Sequence, residues 1–135
     1  MKSEERKLVN TKQKELYDTK QKNAATRLWS YFRNGALNRI KKDIGIERDI
    51  YELHKSWFGD LSAKKVLDLG CYAGNSLSFY LAQNSQEYLG IDLSQKGINN
   101  LSRRLEKIPG ARAEVMDFLS DDFREKDFDL IYAYG

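Results

Sequence analysis

The first part of the chain carries the apolar spacing of helices. Residues 1–22 are rich in Lys, Glu and Gln and hold few large apolar side chains, which is typical of a loose helix that packs little. Large apolar and aromatic side chains cluster at residues 28–32, and Asn34-Gly35 then predicts a helix stop and a turn. Apolar positions at helical spacing continue to Phe58, with a break at Gly45.

After Gly59 the pattern changes to short apolar runs that predict buried strands. The runs lie at residues 66–69, 88–91, 113–116 and 128–133. Helical spacing occupies residues 76–82, and a helix capped by Ser94 runs toward the single proline, Pro109. Strands that alternate with helices predict right-handed crossovers and a parallel sheet. We therefore expect an α/β fold at residues 61–135, preceded by a helical segment, residues 1–60.

The composition is that of an ordinary globular domain. The chain has 135 residues, of which 41% are hydrophobic and 32% are charged. No stretch approaches the ~18 apolar residues of a membrane span, and no secretory signal is expected at the N-terminus. The single cysteine, Cys71, excludes an internal disulfide and a multi-cysteine metal site. These features predict a cytoplasmic protein with no metal.

The turn after the first predicted strand indicates a ligand site. Open parallel sheets bind ligands outside the carboxyl ends of their strands. Gly70 lets the chain turn sharply there, and Gly74 would permit close approach of a ligand at a helix start. Asp92 ends the second strand, where a carboxylate is placed to accept both hydroxyls of a ribose. Asp117-Phe118 ends the third strand and offers an acceptor beside a flat apolar ring, which suits adenine.

The same turn argues against two other nucleotide sites. A dinucleotide site needs G-x-G-x-x-G, whereas Tyr72 fills the place of the middle glycine here. Asp68, just before the turn, would repel a pyrophosphate but would favour a cofactor that bears an ammonium and a sulfonium. No Gly-Lys-Ser/Thr follows, which excludes a phosphate loop.

These segments together resemble the motifs of the class I S-adenosylmethionine-dependent methyltransferases. Residues 66–74 resemble the first motif of that family, and residues 88–94 its second-strand motif with a terminal acid. Asp117-Phe118 resembles the adenine-contact motif, and residues 128–135 the fourth-strand motif. The resemblance covers residues 60–135, and it implies a Rossmann-like sheet of strand order 3-2-1-4 with S-adenosylmethionine as cofactor.

The resemblance also implies a set of cofactor-binding residues at the carboxyl ends of the strands. The set is Asp68, Gly70, Cys71, Tyr72, Gly74, Asp92, Leu93, Asp117, Phe118 and Tyr132. Asp68 and the two glycines are expected at the methionine part, Asp92 at the ribose, and Asp117 with Phe118 at the adenine. Tyr132 and the two residues after it are expected near the transferring methyl. No catalytic residue is predicted.

The family pattern has seven strands, but this chain ends after the fourth. We therefore expect a truncated form, or a piece completed by another chain, that is inactive alone. The fourth strand, residues 127–133, would then form an exposed edge, through which self-association is expected.

The resemblance implies methyl transfer, and the fourth-strand segment resembles that of methyltransferases of small molecules and lipids. Residues 132–134 do not form the Asn/Asp-Pro-Pro-aromatic motif of methyltransferases that act on bases or glutamine. One alternative is a non-catalytic cofactor-binding or interaction module. Another is an RNA methyltransferase that uses the front helices, since residues 1–60 hold 14 Lys/Arg and 9 Asp/Glu. Those charges are interleaved and form no aromatic-basic stripe, so a nucleic acid partner is not expected.

Several side chains outside the motifs permit two interpretations. The aromatic cluster of residues 28–32 would either cap a substrate pocket or pack against the sheet. Tyr17-Asp18 lies in a loose segment that would either close over the cofactor or have no contact with it. His54 is expected to be a surface or packed histidine rather than a base, and Cys71 a turn residue rather than a nucleophile.

Overall fold

The computed structural model describes residues 3–19, 24–43 and 50–134. Three helices come first: α1 (Ser3–Thr19), α2 (Ala24–Asp43) and α3 (Ile50–Phe58). Strands and helices then alternate as β1 (Lys65–Leu69), α4 (Ser76–Asn84), β2 (Glu87–Asp92), α5 (Gln95–Leu105), β3 (Ala111–Val115) and β4 (Leu130–Ala133). None of the helices in the described part of the chain is both long and apolar enough to cross a membrane.

The four strands form one parallel sheet in the order β3-β2-β1-β4. The α/β fold class, the four strands and their order are therefore confirmed. The strand ends differ from the prediction, and the largest differences are at the starts of β3 and β4. β3 begins earlier than predicted, at Ala111, and β4 begins later, at Leu130. Just before the predicted run, Asp127 adopts a left-handed conformation (φ 62°) that extended backbone cannot include.

The sheet is covered on both faces, which explains why its central strands read as almost unbroken apolar runs. One face packs against α4 and α5, and Val66 and Tyr88 lie fully buried there. Leu67, Leu89 and Ile91 point to the other face and pack against the segment that precedes β4. Successive residues of β1 thus enter different cores, as the alternation along a strand requires.

Side-chain caps start the two crossover helices at the carboxyl edge of the sheet. The side-chain oxygen of Asn75 accepts from the backbone N–H groups of Leu77 (2.9 Å) and Ser78 (3.0 Å) at the start of α4. Ser94 Oγ accepts from the Gly97 N–H (3.1 Å) at the start of α5, so the predicted cap is confirmed. Both helices therefore begin beside the turn that the sequence singles out.

The predicted helix stop at Asn34-Gly35 is wrong, because α2 runs without interruption through both residues. A glycine in a helix interior costs only about 1 kcal/mol relative to alanine, which the surrounding helical sequence overcomes. The predicted break at Gly45 lies outside the described residues.

The aromatic residues of α2 fit neither interpretation that the sequence suggested. Trp29, Tyr31 and Phe32 are all exposed, each by more than 60% of its surface. Tyr31 and Phe32 contact each other edge to face, with ring centroids 6.0 Å apart. These side chains neither cap the cavity described below nor pack against the sheet.

The prediction that the first segment packs little is correct only for part of α1. Leu8 and Val9 are exposed, as expected. However, Arg6 and Asn10 on another face of α1 are half-buried and reach the carboxyl edge of the sheet. The side chains of Tyr17 and Asp18 lie outside the described residues.

Candidate functional site

The turn between β1 and α4 is held tightly against β2. The backbone N–H groups of Gly70 and Cys71 both donate to the carbonyl of Ile91, at 2.9 and 3.2 Å. Gly70, Tyr72 and Gly74 all have positive φ, at 74°, 47° and 78°. A sharp left-handed turn of this kind explains the two glycines.

The two glycines serve different purposes. A Cβ on Gly70 would meet no atom within 4 Å, so the residue leaves open space at the edge of the sheet. A Cβ on Gly74 would lie 2.8 Å from Cδ1 of Leu101 on α5. Gly74 is therefore required by its positive φ and by helix packing, and the expectation of close ligand approach at Gly74 does not match this geometry.

Tyr72, which replaces a glycine of the family pattern, is accommodated by another glycine. A Cβ on Gly97, in the first turn of α5, would lie 2.5 Å from Cδ2 of Tyr72 and 2.9 Å from its backbone carbonyl carbon. Tyr72 thus lies directly over Gly97. Gly97 was not singled out from the sequence, although a glycine in the first turn of a helix was the available signal.

Asp92 ends β2 with its carboxylate fixed by two backbone donors. Its Oδ2 accepts from the Tyr72 N–H (2.9 Å) and its Oδ1 from the Ser94 N–H (2.8 Å). Each carboxylate oxygen can accept a further hydrogen bond. The turn and the cap of α5 therefore hold this carboxylate ready for a diol.

Asp117, just after β3, is also fixed from two sides. Its Oδ1 accepts from the Leu119 N–H (2.9 Å), and its Oδ2 accepts from Nδ2 of Asn10 on α1 (2.7 Å). Nε of Arg6 lies 3.9 Å from the same oxygen. The ring of Phe118 is partly exposed beside Asp117.

A cavity of about 450 Å³ joins these residues at the carboxyl ends of the strands. Of the predicted cofactor-binding residues, the cavity wall contains Gly70, Tyr72, Asp92, Leu93, Asp117 and Phe118. The apolar side chains of Leu69, Ile91 and Met116 line it as well. Ala133 and Tyr134 line the end nearest β4.

Asp68 lies below the turn and does not line the cavity. Its carboxylate is buried and accepts a hydrogen bond from the Tyr88 hydroxyl (2.7 Å). Burial raises its pKa, which the hydrogen bonds from Tyr88 and Ser78 oppose. The expected contact of Asp68 with a cofactor is therefore not present in this geometry, because alternation along β1 turns its side chain toward α4 and α5.

Tyr132 also faces away from the cavity, toward α3. Its ring packs against Phe58, and its hydroxyl lies 3.3 Å from Nδ1 of His54. Burial raises the pKa of Tyr132 to about 12, so the hydroxyl keeps its proton and can donate to this nitrogen. His54 is thus a packed histidine, in agreement with the expectation from the sequence.

Cys71 is half-buried in the turn and does not line the cavity. Burial raises the pKa of its thiol well above the ordinary value, and the carboxylates of Asp68 and Asp92 add to this effect. Because the thiolate is the reactive form, this environment disfavours nucleophilic chemistry. The geometry agrees with a turn residue.

Gln13 and Asn10 are site residues that the sequence did not reveal. Both belong to α1, and Gln13 lines the cavity. No local pattern could identify them, because their importance depends on where α1 packs. Among the described residues, no group of three or more His, Cys, Asp and Glu side chains is arranged to hold a metal ion.

The charged and apolar groups that line the cavity suit a nucleoside that carries positive charge. Two carboxylates, Asp92 and Asp117, stand at neighbouring strand ends with apolar and aromatic surface between them. Among the described residues of the cavity wall there is no Lys or Arg to neutralise a pyrophosphate. The arrangement therefore fits S-adenosylmethionine better than a dinucleotide.

Sequence comparisons identify the family. Residues 66–135, more than half of the chain, match the family described as Methyltransferase domain. The chain is 38% identical over 81 residues to carboxy-S-adenosyl-L-methionine synthase of Helicobacter pylori (strain G27), covering 55% of this chain and 33% of that protein. It is 40% identical over 80 residues to phosphoethanolamine N-methyltransferase 1 of Triticum aestivum, covering 55% of this chain and 15% of that protein. The chain thus spans a third or less of these relatives.

Solved structures show the same fold. A TehB-like S-adenosylmethionine-dependent methyltransferase from Corynebacterium glutamicum superposes with a TM-score of 0.51 at 28% identity, covering 78% of this chain and 56% of that chain. Phosphoethanolamine N-methyltransferase 1 of Haemonchus contortus, in complex with phosphoethanolamine and S-adenosylhomocysteine, gives a TM-score of 0.65. At 20% identity, over 98% of this chain and 26% of that chain, the second likeness concerns the fold alone. By its sequence family, its strand order and the build of its site, the chain belongs to the class I S-adenosylmethionine-dependent methyltransferases.

Proposed function

We propose that this chain binds S-adenosylmethionine in the cavity at the carboxyl ends of the four strands, and forms the cofactor-binding part of a methyltransferase that acts on a small molecule. The observation that carries this proposal is the carboxylate of Asp92. Backbone donors fix both of its oxygens, and it faces a cavity whose wall has no cationic side chain among the described residues.

Different residues of the cavity would bind different parts of the cofactor. Asp92 would accept hydrogen bonds from the ribose hydroxyls, since each of its oxygens retains an acceptor site. Asp117 would accept from the adenine amino group, and the ring of Phe118 with the side chain of Met116 would pack against the base. Gly70 leaves room for the methionine part beside the turn.

The cofactor, when bound, supplies a methyl group on a sulfonium that needs no further activation. The chain's own residues would then orient the reactants and exclude water. Ala133 and Tyr134 line the end of the cavity at which an acceptor would enter. Tyr134 also contacts the rings of Tyr51 and His54, so α3 sets its position.

A small-molecule acceptor is the class that the relatives support. Two of them carry names of phosphoethanolamine N-methyltransferases, and a structural neighbour is a magnesium protoporphyrin IX methyltransferase. A lipid acceptor is a narrower form of the same proposal. We also assign residues 1–60 to an N-terminal helical segment, of which α1 covers one end of the cavity, and residues 61–135 to the cofactor-binding half. We propose a cytoplasmic location.

A second candidate function uses the same cofactor site but a different reaction of S-adenosylmethionine. Several relatives, at 36–38% identity over 74–81 residues, are named carboxy-S-adenosyl-L-methionine synthase. In that case S-adenosylmethionine would itself be the molecule that is modified. Mass spectrometry of the cofactor after incubation with a cell extract separates the candidates: a methyltransferase yields S-adenosylhomocysteine, whereas a synthase yields a heavier S-adenosylmethionine derivative.

Isothermal titration calorimetry tests the proposed cofactor. S-adenosylhomocysteine and NAD are titrated separately into the chain. We expect binding of S-adenosylhomocysteine and much weaker or no binding of NAD, because the cavity wall, in the part of the chain that the structure describes, offers no cationic partner to a pyrophosphate. Tighter binding of NAD would overturn the proposal.

A further inference from the structure

One face of α1 lies across the end of the cavity at Asp117. Arg6, Asn10 and Gln13 are spaced i, i+4, i+7, so they project from the same side of the helix. Arg6 and Asn10 approach the carboxylate of Asp117, and Gln13 lines the cavity. α1 is therefore part of the wall of this site, although more than a hundred residues separate it from Asp117.

The contact between α1 and Asp117 is built from charge and a short hydrogen bond. Asn10 Nδ2 donates to Oδ2 of Asp117 over 2.7 Å, and the pair is partly buried. A hydrogen bond to an ionised carboxylate is roughly twice as strong as one between neutral groups. Nε of Arg6 is buried, has no hydrogen-bond partner among the described residues, and lies 3.9 Å from the same oxygen, so its attraction to Asp117 is electrostatic.

The bond from Asn10 does not use up the carboxylate of Asp117. Leu119 N–H donates to Oδ1 and Asn10 to Oδ2, which leaves one acceptor site on each oxygen. These two donors fix the plane of the carboxylate from opposite sides. A ligand amino group would therefore meet an acceptor that is already oriented.

We infer that α1 completes the nucleoside pocket: Asn10 positions Asp117, Gln13 contacts the adenine base, and cofactor binding and the docking of α1 strengthen each other. The inference rests on the proposed function, because it assumes adenine at this end of the cavity. Coupling of this kind is reciprocal, so a bound cofactor must stabilise α1 by the same factor by which α1 improves affinity.

Two variants test the inference. Asn10→Leu removes the donor to Asp117, and Gln13→Ala removes the contact with the base. Lys12→Ala is the control, because Lys12 lies in the same helix with its side chain exposed. We expect each test variant to weaken S-adenosylhomocysteine binding by about fivefold or more, and the control to leave it unchanged.

Amide hydrogen exchange provides the second readout. In the wild type, S-adenosylhomocysteine should slow exchange in residues 4–15, and in Asn10→Leu this protection should be lost. Unchanged affinity in both variants, or exchange in α1 that is unaffected or accelerated by the ligand in the wild type, would overturn the inference. A wild type that binds no S-adenosylhomocysteine would instead refute the proposed function.

Discussion

Asp92 has two roles, one in the local backbone structure and one in the wall of the cavity. Its carboxylate joins the turn after β1 to the start of α5 through the N–H groups of Tyr72 and Ser94, and it faces the cavity. In Asp92→Ala we expect affinity for S-adenosylhomocysteine to fall about ten- to hundredfold, because hydrogen bonds to a charged group contribute roughly 1.5–3 kcal/mol. Calorimetric titration of the variant measures this loss.

Loss of the carboxylate also frees two backbone donors, so the turn itself could loosen. Circular dichroism and the melting temperature of Asp92→Ala show whether the fold survives. Asp121→Ala, which removes an exposed acid outside the cavity wall, is the matched control and should bind like the wild type. An intact Asp92→Ala with wild-type affinity would reduce Asp92 to a structural cap.

Asp68 affects the stability of the folded protein rather than the binding of a ligand. Because burial raises its pKa in the folded state, the folded protein binds the proton more tightly than the unfolded chain does. The stability that protonated Asp68 contributes is fully present below the pKa that Asp68 has in the unfolded chain. It is lost as the pH rises through the higher pKa that Asp68 has in the folded protein. Asn is neutral, similar in shape, and still able to accept from the Tyr88 hydroxyl.

Asp68→Asn should therefore melt at a higher temperature than the wild type at pH 7, and the difference should shrink as the pH falls toward 4. Thermal melts at both pH values measure it. A variant that is less stable at pH 7 would mean that the ionised carboxylate contributes more through its hydrogen bonds than burial costs.

Single residues of the site were predictable only where chain position fixes their direction. Asp92 and Asp117 follow strands, so their place at the carboxyl edge could be predicted from the sequence. Tyr132 could not be assigned to a face in the same way, because one step along β4 separates the cavity side from the side of α3. Asn10 and Gln13 required knowledge of a distant packing contact.

At the scale of elements, the turn after β1 and the first turn of α5 form one unit. Tyr72 occupies the space that Gly97 leaves open. Gly97→Ala places a methyl group 2.5 Å from the Tyr72 ring and 2.9 Å from its backbone, so the turn must shift. We expect a loss of about 1–3 kcal/mol in the free energy of unfolding, together with weaker ligand binding.

Gly35→Ala is the control for this change. Gly35 also lies in a helix, but a methyl group there would meet no atom within 4 Å. Chemical denaturation should show Gly35→Ala to be more stable than the wild type by about 1 kcal/mol, from helix propensity alone. If Gly97→Ala behaves in the same way, Tyr72 does not depend on Gly97.

Elements were predicted well where burial dictates the pattern. The strands read as apolar runs because both faces of the sheet are covered, and the cap at Ser94 marks the start of α5. The predicted helix stop at Asn34-Gly35 was wrong because these residues disfavour a helix only weakly, and the surrounding residues of α2 continue it. The start of β4 was predicted too early, because the apolar side chain of Phe128 extends the run but lies before the strand.

For the whole molecule, the expected self-association through the fourth strand remains a prediction. Among the described strands, β4 lies at the edge of the sheet and pairs with β1 alone, and Ile131 is 55% exposed. An apolar edge strand is a template for strand addition. We therefore expect a dimer or larger species in light scattering at high concentration.

Ile131→Lys should shift this species toward the monomer, because a charged edge residue opposes strand pairing. Leu119→Lys, which changes an exposed apolar residue outside any strand, should leave association unchanged. A wild type that stays monomeric at high concentration would refute association along this edge.

The central claim is that the cavity at the carboxyl ends of the strands binds S-adenosylmethionine, and a nuclear magnetic resonance titration with S-adenosylhomocysteine tests it most directly. We expect the backbone amide signals of Gly70, Tyr72, Leu93 and Phe118 to shift with a common dissociation constant. Signals of α4 residues remote from the cavity, such as Asn84, should not move. Shifts that cluster elsewhere, or the same shifts produced by NAD at lower concentration, would show that this cavity is not an S-adenosylmethionine site.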